Sequence, residues 1–342
     1  MIRIAYFVHG RGKGHAIRTR AVIRALGPSY ETRVFCAGEA WDTLDDLPSS
    51  QPILPCVPGR GMIRSFTLRL RGDGERFRRW RPDLVVSDGD GPSVNAARLL
   101  GIPVVAVGHG LILHHTHLPQ ALPWRSHLRE VLNVASSSWP ACRRVAVHFA
   151  PVEPRTEGTL VARPDLRSEA DPHLAREDFI LAYFRDGNGA MALEQLAGRG
   201  HRVRLFGQPR NVPHGVELHP PDVTAFGEAL SRCRAVVGSS GNHLPAECAM
   251  LGIPMLALHR EHDREHELNA RLVEVAGIGV AAPVDHCTPD IIRPFEAEFD
   301  KPRDELAART LAMPPASEIV PQAIDELCHR TVPRPTWNAQ TV

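Results

Sequence analysis

The stretch "IRIAYFVHGRGKGHAIRTRAVIRAL", residues 2–26, decides the fold. Its first seven residues form a nearly unbroken apolar run, the pattern of a strand buried on both faces. Its last eleven, "AIRTRAVIRAL", carry apolar residues at helical spacing, and Ala21, Ile23 and Leu26 are expected to face inward. Strand, glycine loop and helix together open a parallel, doubly wound unit. The loop holds Gly10, Gly12 and Gly14, followed by His15. Glycines admit close backbone approach, and His15 is expected at the helix start, over the strand ends.

The alternation continues outward from this point. "ETRVFCAG", "PDLVVSDGD" and "IPVVAVGHG" read as strands, and "SVNAARLLG" as a helix stopped by Gly101. Residues 151–173 are proline-rich and charged, which reads as a linker. The alternation then restarts, with "FILAYF", "HRVRLFG", "RAVVGSSG" and "IPMLALH" as strands and helical patterns between them. The expectation is an α/β chain of two Rossmann-like, doubly wound parallel-sheet domains facing across a cleft. The boundaries are 1–155 for the first domain, 156–175 for the linker and 176–315 for the second. Residues 316–342 form a terminal helix and tail expected to pack back on the first domain. Ligands in open α/β sheets sit at the carboxyl ends of the strands, so the cleft is the default site.

Bulk composition is permissive. Of 342 residues, 43% are hydrophobic and the formal net charge is +1, so nothing global calls for nucleic acid. The seven cysteines are scattered without a C-x-x-C pair, which argues against a disulfide framework or a zinc site and for a reducing, cytoplasmic setting. No leader peptide is expected, and no apolar run reaches the length of a membrane span. The arginine-rich stretch 60–81 is read as a solvated amphipathic element in preference to a membrane-surface one.

The first glycine loop matches neither phosphate motif. A dinucleotide fingerprint needs a third glycine where His15 stands, and no acidic residue ends the second strand. No P-loop run exists. His15 is a candidate general base for a bound hydroxyl. "SDGDG" supplies Asp88 and Asp90 at a strand end, either of which can orient His15, as a triad carboxylate does. "GHGLILHHTH" holds His109, His114, His115 and His117 without accompanying carboxylates or cysteines at ligand spacing. The first three, with Gly12, Lys13 and Gly14, are candidates to line an acceptor, and no metal is expected.

In the second half, "VVGSSGNHLPAECAMLGIPMLALHREHDREHELNA", residues 236–270, places a small-residue turn at the start of a helix. The free N–H groups of a helix start form an anion site. Glu247 lies about two turns in, where a carboxylate can accept both hydroxyls of a ribose. Asp263, Glu265, His266 and Asn269 follow at the next helix, and Glu265 and His266 can hydrogen-bond sugar hydroxyls.

"SSGNHLPAE…LGIPMLAL…HDREHELNA…AGIG" resembles the donor-binding signature of GT-B glycosyltransferases. The pieces that match are Gly241, Glu247, Gly252 with Pro254, Asp263, Glu265, His266, Asn269 and Ala270. Within that class the chain is similar to the peptidoglycan lipid-intermediate N-acetylglucosaminyltransferase and UDP-glucuronosyltransferase-like families, whose N-terminal glycine loop also ends in histidine.

The resemblance implies an inverting, metal-independent hexosyltransferase. A sugar would pass from UDP or TDP to a hydroxyl of a small-molecule or glycan acceptor, as in natural product biosynthesis, with His15 as base. The nucleotide sugar is a co-substrate, and no cofactor is implied. Ser240, Gly241, Asn242 and His243 would meet the diphosphate and Glu247 the ribose. Glu265 and His266 would meet the sugar, with Asp263 and Asn269 in the same motif. Gly187 and Asn188 of "FRDGNG" fall near the diphosphate, and His219 of "LHPPDV" where the base packs. The departure is His266, where glutamine is common, which implies an unusual sugar. A nucleotide-sugar epimerase and a non-catalytic nucleotide-sugar binder remain alternatives of the same plan.

Overall fold

A computed structural model of the chain describes residues 1–10, 13–47, 49–56, 61–118, 134–166, 170–184, 189–209, 211–261 and 263–329. The chain forms two compact units. One holds Met1–Val147, Val152–Asp165 and the described residues from Pro314 on. The other holds His148–Pro151 and Leu166–Met313.

The first unit is built on strands β1 (Ile2–Val8), β2 (Tyr30–Cys36), β3 (Ser50–Pro52), β4 (Leu84–Asp88) and β5 (Val104–Gly108). A two-residue strand β6 (Thr116–His117) comes next, then β7 (Arg143–Val147), a second short strand β8 (Glu153–Pro154) and β9 (Thr159–Ala162). Among the described residues, seven of these make one parallel sheet in the order β3-β2-β1-β4-β5-β7-β9, and β6 pairs antiparallel with β8. Helices α1 (Lys13–Leu26), α2 (Gly38–Leu44), α3 (Met62–Trp80), α4 (Gly91–Leu99) and α5 (Ile112–His115) connect them. The order reverses direction between β1 and β4, whose ends meet in register at Val8 and Asp88. Such a switch point leaves a crevice at the strand ends. In α1 the inward stripe is Ala16, Val22 and Leu26, while Ala21 and Ile23 are half-buried.

The second unit is built on β10 (Ile180–Tyr183), β11 (Val203–Phe206), β12 (Val216–His219), β13 (Ala235–Ser239), β14 (Met255–His259) and β15 (Gly279–Pro283). Their parallel sheet runs β12-β11-β10-β13-β14-β15, with its reversal between β10 and β13. Helices α6 (Ala190–Gly198), α7 (Val223–Arg232), α8 (His243–Leu251), α9 (Arg264–Ala276), α10 (Pro289–Glu296) and α11 (Arg303–Leu311) surround it. Ile180, Ala182, Val237, Leu256 and Leu258 form the centre of its core.

Two sequence expectations need correction or extension. The stretch 156–175 contains β9, whose Ala162 is fully buried, so its first part belongs to the first sheet. Residues 148–151 belong instead to the second unit. The last helix, α12 (Ala316–His329), packs into the first core through Ala316, Ile319, Val320, Ala323, Ile324 and Leu327. That spacing is one helical stripe. Among the described residues, no helix is long and apolar enough to cross a membrane.

Candidate active site

At the first switch point, α1 begins where β1 ends and β4 delivers Asp88 alongside. His15 Nδ1 lies 2.6 Å from Asp88 Oδ1. Asp88 is fully buried, while the His15 side chain retains 25% exposure. Arg18, one turn further along α1, donates from Nε to Asp88 Oδ2 at 2.8 Å and from Nη2 to Oδ1. Burial opposes the Asp88 charge, but the Arg18 guanidinium and His15 outweigh it and hold the carboxyl down at about 2. An ionised carboxylate only accepts, so Nδ1 of His15 donates, which leaves Nε2 as the nitrogen that accepts when the ring is neutral.

Two glycines shape this corner. Gly89 sits at φ 74°, and a Cβ there would lie 3.2 Å from His15 Cε1. The position therefore seats the imidazole. At Gly10 the close neighbour is the protein itself, since a Cβ would meet that of Ala37 at 2.9 Å and Glu39 N donates to Gly10 O. Gly14 is buried within α1. Gly12 and the Lys13 side chain lie outside the described residues.

Asp90 does not share the Asp88 role. It caps α4 by accepting from Ser93 N at 3.2 Å and pairs with the buried Arg69 at 2.8 Å. Arg69 also holds Asp73, whose carboxyl is pushed up to about 6, chiefly by burial. Helix α3 thus turns part of its arginine-rich length inward. Neither Arg18 nor Arg69 stood out in the sequence; the only signal for Arg18 was its i, i+3 spacing from His15.

The histidines near β5 divide. His109 follows the carboxyl end of β5 and is half-buried. His114 and His115 are buried. His115 Nδ1 lies 2.9 Å from Thr156 Oγ1, and the His114 ring packs edge-on against Trp139. Burial, then the nearby Arg144, His114 and Arg155, lower His115 to about 4 and leave it neutral. These two rings pack within the unit. Among the described residues, no group of three or more histidines, cysteines and carboxylates has metal-site geometry.

In the second unit, the turn after β13 carries Ser240, Gly241 and Asn242 into α8, which starts at His243. Ser240 is fully buried; its Oγ lies 2.8 Å from His266 O and 3.0 Å from Leu258 O, and its N–H donates to Leu258 O. It ties the turn to β14 and α9. Asp263 caps α9, accepting from His266 N, and its carboxylate lies 3.3 Å from His266 Nδ1. The opposite ring nitrogen, Nε2, faces Gly241, 3.7 Å from where a Cβ would stand. Glu247 is 3% exposed on α8, and Glu265 is exposed. Asn269 is fully buried, yet neither amide atom has a hydrogen-bond partner among the described residues. A small pocket lined by Phe184, Ser239, Leu258, His259, Arg260, His266 and Val284 opens at these strand ends.

At the end of β12, His219 stacks on Phe206 with ring centroids 4.9 Å apart, continuing to Phe226 and Tyr183. Gly187 and Asn188 lie outside the described residues. The structure thus gathers Ser240, Gly241, Asp263 and His266 at one turn.

The family model described as "Glycosyl transferase family 1" matches residues 70–299. A comparison with curated protein sequences found no match. Among solved structures, MurG of Acinetobacter baumannii is 18% identical with a TM-score of 0.64, over 95% of this chain and 100% of the other. The spinosyn forosaminyltransferase SpnP is 15% identical with a TM-score of 0.69, over 96% and 99%. The glycosyltransferase SsfS6 of Streptomyces sp. SF2575, complexed with thymidine diphosphate, is 19% identical with a TM-score of 0.58, over 95% and 100%. At these identities the likeness is one of fold, the two parallel-sheet domains of GT-B.

Proposed function

The chain belongs to glycosyl transferase family 1, and from that premise we propose an inverting transfer of a sugar from a nucleoside diphosphate to an acceptor hydroxyl. His15 Nε2 takes the hydroxyl proton. The alkoxide-like oxygen attacks C1 of the sugar, the bond from C1 to the diphosphate breaks, and the anomeric configuration inverts. Asp88 stabilises the imidazolium that forms. The leaving diphosphate is met by the N-terminus of α8, without a metal. Glu247 takes the ribose and the Asn269 amide supplies a further donor and acceptor, while the Phe206–His219 stack offers a face for the base.

The observation that carries this reading is the His15–Asp88 contact at the switch point of the first sheet. The thymidine diphosphate bound by SsfS6 supports TDP as the nucleotide, with UDP beside it. The acceptor is a small molecule or glycan bearing a free hydroxyl, and Gly14 and His109 stand among the residues proposed to meet it. A thermal-shift panel of nucleoside diphosphates tests the donor half, since a ligand of the folded state raises the melting temperature. Release of free nucleotide from the sugar donor is then expected only with an acceptor present. Sugar isomerisation with donor alone indicates an epimerase; binding with no release under any acceptor indicates a binding protein.

A further inference from the structure

Arg18 is 4% exposed and spends two N–H groups on one carboxylate, Asp88. Its Nη2 also lies 3.2 Å from His15 Nδ1, so the guanidinium, the carboxylate and the imidazole meet at one oxygen, Asp88 Oδ1. This arrangement differs from a plain histidine–aspartate pair in two ways. First, the bidentate clamp leaves the carboxylate one orientation, with Oδ1 toward the ring. If Nδ1 accepted from Arg18 instead, two lone pairs would face each other across 2.6 Å, so the clamp admits only the tautomer with Nδ1–H. Second, a permanent positive charge beside the ring opposes a second one on it. A lone buried carboxylate would favour imidazolium, the form that cannot accept a proton.

We propose that Arg18 is a positioning residue which acts through Asp88 to hold His15 in the Nδ1–H tautomer and to keep its resting ring unprotonated. The inference rests on the reading of His15 as the base. Other titratable or charged groups surround the corner. His9, after β1, has its ring 5.5 Å from that of His15. Tyr6 lies buried in β1 and burial raises its phenol, so it is neutral. Asp165 reaches Arg18 and Tyr6 electrostatically. Of all these, Arg18 is the cation closest to the ring among the described residues.

The test compares wild type, Arg18→Met and Arg18→Lys by kcat/KM against pH, and by ¹⁵N NMR of ring-labelled histidine, with His15→Ala to assign the signal. In Arg18→Met the acid limb of the activity profile should move up by about one pH unit, from the lost charge repulsion. That is about a tenfold loss below the limb, recovered at higher pH. In wild type, Nε2 should carry the unprotonated nitrogen signal. Arg18→Lys, which restores the charge without the fork, should return the limb toward wild type while its ring signals show mixed tautomers. A pH-independent loss in Arg18→Met with unchanged ring signals would mean a purely structural role and overturn the proposal. If Arg18→Met does not fold, Arg18→Gln takes its place for the acid limb, and a single Nδ1–H tautomer in Arg18→Lys would overturn the proposal equally. Full activity in His15→Ala removes the base assignment itself, and the ring signals then still decide whether Arg18 sets the tautomer.

Discussion

Asp88 Oδ1 and His15 Nδ1 meet at 2.6 Å although 73 residues separate them in the chain. The parallel pairing of β1 with β4, which sets Val8 beside Asp88, brings them together. The pair should be visible in stability. The Asp88 carboxyl is held at about 2 in the folded protein, below its ordinary 3.8. A depressed folded pKa stabilises above the unfolded value and loses that contribution as pH falls through the folded one. The stability difference between wild type and Asp88→Asn should therefore shrink by about 2 kcal/mol as pH falls from about 4 toward 2. Urea unfolding across that range measures it; a pH-independent difference would mean that the charge is not held.

Gly89 offers a way to disturb the imidazole with little effect on the core. Alanine there is strained at φ 74° and places a methyl 3.2 Å from His15 Cε1. Gly89→Ala should cost about 1 kcal/mol of stability. It should lower kcat several-fold, since the ring must give by a few tenths of an ångström, where a full 1 Å misplacement costs about 100-fold. A variant that melts lower but turns over normally would show that His15 tolerates displacement.

Much of this fold was legible because β1, β4 and β5 are buried on both faces and read as unbroken apolar runs. β9 was hidden because its four residues, "TLVA", sit among prolines and charges. The turn "SDGDG" was ambiguous because Asp88 and Asp90 are both acids at a strand end. Gly89 at positive φ separates them, sending one to His15 and the other to the cap of α4. Arg18 was illegible for a different reason. An arginine in "AIRTRAVIRAL" looks solvated until its partner, 70 residues away, is known.

Ser240 joins three elements through one residue. Ser240→Ala should cost about 0.5–1.5 kcal/mol for the lost hydroxyl bond. It should also raise the donor KM more than it lowers kcat, because the turn beside His266 loosens. Chemical denaturation and donor-saturation kinetics separate the two effects; an unchanged KM would place the turn away from the donor.

Glu247 is a nearly buried carboxylate on α8. Glu247→Ala should weaken binding of the nucleoside diphosphate by about tenfold or more, the worth of a hydrogen bond to a charged group. Calorimetric titration with the nucleotide alone reads this without any turnover. Equal affinity in the variant would remove the ribose assignment.

Turnover of His15→Ala, measured beside its affinity for the nucleoside diphosphate, is the most direct test of general-base transfer. The expected result is a kcat lower by about 100-fold or more, with nucleotide affinity unchanged. A kcat equal to wild type would contradict it.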